Sequence, residues 1–368
     1  MPKAAVCEVV GAPLEIRNVD LAEPKAGEVR VRIAASGVCH SDLSVQNGTL
    51  YTPVPAVLGH EGAGVIDAIG EGVTDLAVGD HVVISWVPQC GECFFCRRHQ
   101  GHLCEQGSAG LLTGGLMDGT PRFSLNAQPI FQMACAGTFS EATIVPSFGA
   151  IKIDPAMPLD RAALIGCSVL TGVGAAMHSG NVGSGDCVVV IGCGGVGLNV
   201  IQGARLCGAE RIVAIDMHSH KLDLARRFGA TDTVLVTEDV DPVAEVLGLT
   251  ELRGADVVFE AIGLRATMQQ SIAMTRRGGT AVMIGVPSLD TRIELDAAMD
   301  IVIMEKRIRG CWYGSSDVHV DIPDLVARYQ DGSLLLDELI SREIPLEDVN
   351  AAFDAMMAGE VARSIIRF

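Results

Sequence analysis

Residues Val188–Asp216 read VVVIGCGGVGLNVIQGARLCGAERIVAID. The run Val188-Val189-Val190-Ile191 is apolar and β-branched without polar alternation, as suits a parallel strand buried on both faces. It runs into Gly192-Cys193-Gly194-Gly195-Val196-Gly197, a G-x-G-x-x-G, and then into a helix-compatible stretch through Ala204 and Cys207. A second apolar strand, Arg211 to Ile215, ends at Asp216. The whole is a strand-turn-helix-strand unit with an acid at the distance that dinucleotide binding requires. Gly192 permits the tight turn, Gly194 lets a pyrophosphate approach the backbone, and Gly197 lets the helix sit against the strand. The helix N-terminus beginning near Gly195 then offers unpaired N–H groups to phosphate. Asp216 can accept from both ribose hydroxyls and repels a 2′-phosphate, so NAD is expected over NADP.

Composition sets the surroundings of this unit. A chain of 368 residues, 49% hydrophobic, can bury two cores and is expected to form two domains. Its net charge of -18 argues against nucleic acid or an anionic membrane as partner. No apolar run is expected to reach the roughly 20 residues that span a bilayer. The N-terminal MPKAAVCEVV lacks the pattern of a signal peptide. Twelve cysteines spread over a long chain point to metal binding in a reducing, cytoplasmic setting rather than to a disulfide scaffold.

Residues 1 to about 165 read as β-rich. Short β-branched runs (Val29–Ile33, Gly64–Ile66, His81–Ile84) alternate with Gly, Pro and Asp turns, as in a barrel-like domain. From about Leu170 strand and helix alternate, with Ala255–Glu260 and Gly279–Gly285 as further buried strands of a doubly wound sheet. After Trp312 come helical stretches, Asp321–Gln330 and Leu346–Ala358. A last apolar run to Phe368 is expected to return to the first domain.

Two groups of metal-ligating residues stand out. Cys39 and His60 offer a thiolate and an imidazole, and Cys167 is a candidate third ligand at the domain boundary. Two Cys, one His and an open fourth position describe a catalytic zinc. Cys90-x2-Cys93-x2-Cys96-x7-Cys104 places four thiols closely on one loop and suits a closed structural zinc.

With these motifs in hand, the sequence resembles the zinc-dependent medium-chain alcohol dehydrogenases essentially end to end, and the set of two cysteines and one histidine is an established example from that family. The resemblance rests on Gly59-His60-Glu61-Gly62, the four-cysteine lobe, the nucleotide fingerprint and the closing Arg363–Phe368. It implies an α/β protein with a β-rich GroES-like catalytic domain, 1–168 and 313–368, flanking a doubly wound parallel-sheet Rossmann domain, 169–312. It further implies two zinc ions per subunit, NAD, and a primary alcohol of medium-chain or benzylic type as substrate. Glu61 would sit behind the catalytic metal, Asp42 would fix the tautomer of His60, and Ser41 would accept the hydroxyl proton. His40 and Arg363 would meet the pyrophosphate, Lys221 the adenosine ribose, and Val196, Thr171, Ile284 and Val286 the nicotinamide end. Leu50, Trp86, Ala109, Met133, Ala134 and Trp312, with Val286, would line the substrate pocket.

The sequence departs from this pattern in two places. Some class I members carry a histidine three residues beyond Ser41; here that position is Ser44. Class III members place an arginine soon after the fourth lobe cysteine; here Ser108 stands there and the first arginine is Arg122. A glutathione-adduct formaldehyde dehydrogenase is therefore disfavoured. A thiol-dependent formaldehyde dehydrogenase and a non-catalytic nucleotide-binding protein of the same fold remain the alternatives. The Gly114–Phe139 segment resembles the long loop of dimeric relatives, and Met299–Arg309 reads as strand-like. Together they imply a homodimer built on a sheet edge.

Overall fold

In the strand Glu28–Val38, Val29, Val31 and Ile33 are buried while Arg30 and Arg32 point outward. This period-2 alternation builds a core with Ile66, Val82, Ile84 and Val145 from neighbouring strands. The computed structural model describes residues 1–368, which divide into two units, Met1–Ser168 with Asp317–Phe368 and Val169–Ser316. In the first unit a seven-stranded sheet runs in the order Ala150–Lys152, His81–Ile84, Glu61–Ile69, Glu28–Val38, Arg363–Arg367, Ile340–Ile344, with Ala142–Pro146 also paired to Glu28–Val38. The chain's last strand thus pairs antiparallel with the end of Glu28–Val38, setting Ser364 opposite Val38. A six-stranded sheet, from Glu15–Asn18 to Asp20–Leu21, accompanies it. The Gly114–Phe139 segment contributes an antiparallel hairpin to that second sheet, Phe123–Leu125 against Gln128–Gln132. Asn126 and Ala127 close the hairpin with left-handed backbone, as a tight two-residue turn requires.

In the second unit the sheet is entirely parallel, ordered Asp232–Leu235, Arg211–Asp216, Cys187–Ile191, Ala255–Glu260, Thr275–Met283, Arg307–Gly310. Strand order reverses at Cys187–Ile191, so a crevice opens at the carboxyl ends of Cys187–Ile191 and Ala255–Glu260. Helices Gly195–Leu206, Ser219–Phe228 and Arg265–Met274 connect strands of this sheet.

Three expectations are corrected. The boundary expected at 312/313 falls at Ser316/Asp317. The turn Tyr313–Ser315 belongs to the second unit because it packs on the helix Leu170–Gly174. A Cβ on Gly314 would come within 2.5 Å of the Leu170 carbonyl oxygen. Met299–Arg309 is not a continuous strand: Ala297–Ile303 is a π-helix capped by the Asp296 carboxylate, and the strand begins at Arg307. A short apolar run does not by itself distinguish the two. Finally, the helical run Leu159–Ser179, 21 residues, is long and apolar enough to cross a membrane. Most of it is buried inside the protein, as in a core helix.

Candidate active site

Three elements converge on one cluster in the first unit. Cys39 follows the strand Glu28–Val38 and caps the short helix His40–Gln46. His60 immediately precedes the strand Glu61–Ile69, whose pairing sets Glu61 opposite Gly37. Cys167 lies on a π-helical turn, Ile165–Val169. Gly166 lets that turn lie against the sheet, since a Cβ there would approach the Ile84 carbonyl oxygen to 2.8 Å. The donor atoms of Cys39, His60, Glu61 and Cys167 all lie within 4.8 Å of one another, and all four residues are buried. Such a set fits a divalent ion of zinc type.

Asp42 organises this cluster from below. Its Oδ2 accepts the Cys39 N–H at 2.9 Å. Its Oδ1 accepts the Gly59 N–H at 3.1 Å and meets His60 Nδ1 at 2.9 Å. His60 is thereby left with Nε2 for a metal. Ser41 is half-buried, with Oγ 3.9 Å from Cys39 Sγ, whereas His40 is exposed. Trp86 is buried and meets His60 edge-on, ring centroids 6.2 Å apart.

Electrostatics at the cluster follow from burial and crowding. Burial pushes the Glu61 carboxyl up to about 8, although Arg363 pulls the other way. Burial opposes charge on His60, but the Asp42 carboxylate and Cys39 thiolate hold its pKa well above the usual value. The hydrogen bond from Cys167 lowers the Cys39 thiol and raises that of Cys167. A bound cation would displace the protons held on His60 and Cys167.

Arg363, expected to meet the pyrophosphate, is buried: Nη2 lies 3.3 Å from Glu61 Oε1, and Nη1 donates to the Val38 carbonyl at 3.2 Å. The C-terminal strand's register against Val38 carries it there. Gly37 is a site residue that sequence reasoning missed. A Cβ on it would lie 2.2 Å from Glu61 Oε2, so only glycine leaves room for that carboxylate. Its position at the end of a strand was the available signal, since strand glycines mark close approaches.

The lobe cysteines form a second cluster, their four sulfurs within 4.8 Å of one another. Cys90 Sγ to Cys96 Sγ and Cys93 Sγ to Cys104 Sγ each measure 4.0 Å. A zinc tetrahedron with Zn–S of about 2.3 Å has S···S edges of about 3.8 Å, whereas a disulfide needs about 2 Å. Burial works against ionisation of Cys93, yet backbone N–H groups of Cys96 and Glu105 bring its thiol down to about 6. The lobe is thus a four-cysteine zinc site.

In the second unit the glycine turn has the geometry its sequence demands. Gly192 has φ +95°, and a Cβ on Gly197 would lie 1.8 Å from the Gly192 carbonyl oxygen. Gly194 faces open space, free for a ligand to approach, and Gly195 opens the helix. Asp216 is buried at its strand's end, Oδ2 accepting the Cys193 N–H at 2.8 Å and Oδ1 the His218 N–H at 3.0 Å. Each oxygen keeps a lone pair for a ribose hydroxyl. Val196 and Lys221 are half-buried, Thr171 and Ile284 buried, Val286 exposed.

Of the other pocket candidates, Met133 and Ala134 are buried, Leu50 is half-buried and Ala109 is exposed. Trp312 belongs to the second unit and is exposed. Arg122 is buried against Glu28, Nε to Oε2 at 2.9 Å, and so is not available to bind a substrate carboxylate. A cavity of about 720 Å³ bordered by Met1, Arg32 and Phe368 contains none of the candidate residues and no ligating cluster.

Comparison with known proteins agrees with this architecture. Residues 25–155 match the alcohol dehydrogenase GroES-like domain, and residues 195–330 match the zinc-binding dehydrogenase family. An alcohol dehydrogenase zinc-binding domain protein from Burkholderia ambifaria is 34% identical, with TM-score 0.94 over 100% of this chain and 98% of that one. Benzyl alcohol dehydrogenase from Acinetobacter calcoaceticus is 30% identical, with TM-score 0.94 over 100% and 99%. A zinc-binding dehydrogenase from Sinorhizobium meliloti, solved bound to NADP, is 29% identical, with TM-score 0.81 over 100% and 99%. The chain belongs to the zinc-dependent medium-chain alcohol dehydrogenases. It is an oxidoreductase with a GroES-like half-barrel and a Rossmann-type parallel sheet.

Proposed function

We propose that the enzyme oxidises primary alcohols of medium-chain or benzylic type to aldehydes with NAD⁺, using one catalytic and one structural zinc per chain. The observation that carries this reading is the buried Cys39–His60–Cys167 donor set with Trp86 edge-on to His60. Cys39, His60 and Cys167 would hold the catalytic zinc, which when bound polarises an alcohol oxygen and lowers its pKa. Asp42 holds His60 in the tautomer that leaves Nε2 free. Ser41 takes the substrate's hydroxyl proton and passes it towards solvent past Ser44, where some relatives carry a histidine. Glu61, buried beside the ligands and paired with Arg363, is a reserve donor close enough to exchange with a departing ligand. The glycine turn Gly192–Gly197 and Asp216 would hold NAD⁺, which when bound would supply the hydride acceptor.

The indole of Trp86 beside His60 leaves little room for a second substituent on the carbinol carbon, while Met133 and Ala134 offer an adaptable apolar wall. The likeness to a benzyl alcohol dehydrogenase supports the benzylic preference. We place the enzyme in a reducing compartment such as the cytoplasm, where the cysteines of the two clusters stay available to bind metal. The deciding measurement is kcat/KM for benzyl alcohol, hexanol, ethanol and 2-propanol, with NAD⁺ and NADP⁺, with and without low-molecular-weight thiols. Benzyl alcohol and hexanol should lead, each well-buried methylene contributing up to about 0.8 kcal/mol. Trp86→Ala should admit 2-propanol without changing NAD⁺ binding. A wild type that prefers 2-propanol, or turns over only with added thiol, overturns the reading.

A further inference from the structure

The carboxyl ends of three adjacent strands in the second unit carry Ile191, Glu260 and Met283 at one level, each opposite its neighbour. This level lies where strand order reverses, the place at which open parallel sheets bind their ligands. Glu260 is the acid among the three residues, and it is fully buried. A carboxyl group in such a position costs free energy unless it gathers donors. Oε1 of Glu260 gathers three: the N–H of Ile262 at 2.9 Å, the N–H of Gly263 at 2.8 Å and the Thr267 hydroxyl at 2.7 Å. Burial raises the pKa of the group, and these donors oppose the rise.

The turn held by that oxygen touches both segments expected to bind coenzyme. On one side a Cβ on Gly192, in the glycine fingerprint, would lie 2.6 Å from Ile262 Cγ1. The Ala261 N–H also donates to the Ile191 carbonyl just before the fingerprint, at 2.9 Å. On the other side the Glu260 carbonyl accepts from Ile284 at 2.8 Å and from Gly285 at 3.0 Å. Cβ atoms on Gly263 and Gly285 would meet Val286 O at 2.8 Å and Gly263 N at 2.1 Å respectively. Ile262 and Gly263 are therefore wedged between the pyrophosphate turn and the Ile284–Val286 segment, and one carboxyl oxygen sets their position.

We propose that Glu260 is a positioning residue for the dinucleotide. By accepting from Ile262, Gly263 and Thr267 it holds the glycine fingerprint and the Ile284–Val286 segment in the spacing that the coenzyme occupies. This rests on the reading that a nicotinamide dinucleotide binds at the fingerprint. A residue of purely structural value would lower the melting temperature and leave the affinity of folded protein for coenzyme intact. A positioning residue changes the affinity itself.

The test is NADH and NADPH binding, followed by nucleotide fluorescence, to wild type, Glu260→Ala, Glu260→Gln and Thr267→Val. Thermal melting and zinc content are measured alongside. Gln retains an acceptor oxygen where Ala does not, so Glu260→Gln should bind within threefold of wild type. Glu260→Ala should raise Kd tenfold or more, and Thr267→Val a few-fold, with zinc per chain unchanged. The KM for coenzyme should rise more than kcat falls. Folded Glu260→Ala with wild-type Kd, or Glu260→Gln as weak as Glu260→Ala, overturns the proposal. Should Glu260→Ala fail to fold, wild-type affinity in Thr267→Val overturns it equally. A wild type that binds neither nucleotide overturns the underlying coenzyme reading, which is a separate outcome.

Discussion

At the scale of single residues, the two cysteine clusters have different work to do. The Cys39 and Cys167 thiols are buried beside His60, whereas Cys90, Cys93 and Cys96 sit half-buried on a loop closed by Cys104. Cys39→Ser or Cys167→Ser is therefore expected to abolish turnover and remove one zinc per chain from a folded protein. Cys96→Ser should instead destabilise the fold, because metal binding and ordering of the lobe are linked. Metal analysis and thermal melting of the three variants check this, and wild-type lobe thiols that alkylate freely would contradict it. On the proposed reading, Asp216 would set the choice of coenzyme by charge. Replacing it with Ala should cause a large loss in kcat/KM with NAD⁺ and a relative gain with NADP⁺. The NADP-bound relative makes the comparison worth running on wild type first, since a wild type preferring NADP⁺ refutes this role.

Among the secondary-structure elements, close approaches between backbones matter more than any single ligand. The pairing of Glu28–Val38 with Glu61–Ile69 carries Glu61 to Gly37, and the final strand brings Arg363 to the same carboxylate. Gly37→Ala would force the Glu61 carboxylate aside, since the new Cβ would lie 2.2 Å from it. Overpacking of this kind costs about 1–3 kcal/mol. The variant should unfold at lower urea and lose turnover while keeping the lobe zinc; unchanged activity would show that Glu61 and Arg363 need not pair. The motif Gly59–Gly62 was legible in the sequence because its residue types declare metal chemistry. The partnership of Arg363 was not, because it depends on which strand the tail joins and in what register.

At the scale of the whole molecule, the second unit presents an open sheet edge at Arg307–Gly310, preceded by exposed Met299, Ile301, Val302 and Ile303. An unpaired edge beside an exposed apolar surface invites a twofold partner. The enzyme should be a homodimer through this face. The double variant Val302→Asp, Ile303→Asp should then run as a monomer by light scattering, since burying each such side chain contributes about 1.5–3 kcal/mol. A wild type that is monomeric or tetrameric at working concentration rules the arrangement out.

Sequence alone determined what local chemistry can encode. It contained the buried strand Val188–Ile191, the glycine turn with Asp216, the four-cysteine spacing and the zinc-ligand types Cys39, His60 and Cys167. These are legible because a glycine, a thiol or a β-branched run constrains its own few residues whatever lies elsewhere. Tertiary structure decided the rest. It buried an apolar 21-residue helix within the protein. It also set Gly37 and Arg363 against Glu61, a partner that no spacing rule identifies. Those contacts join segments distant in the chain or depend on strand register, and register is a property of paired strands rather than of either strand alone.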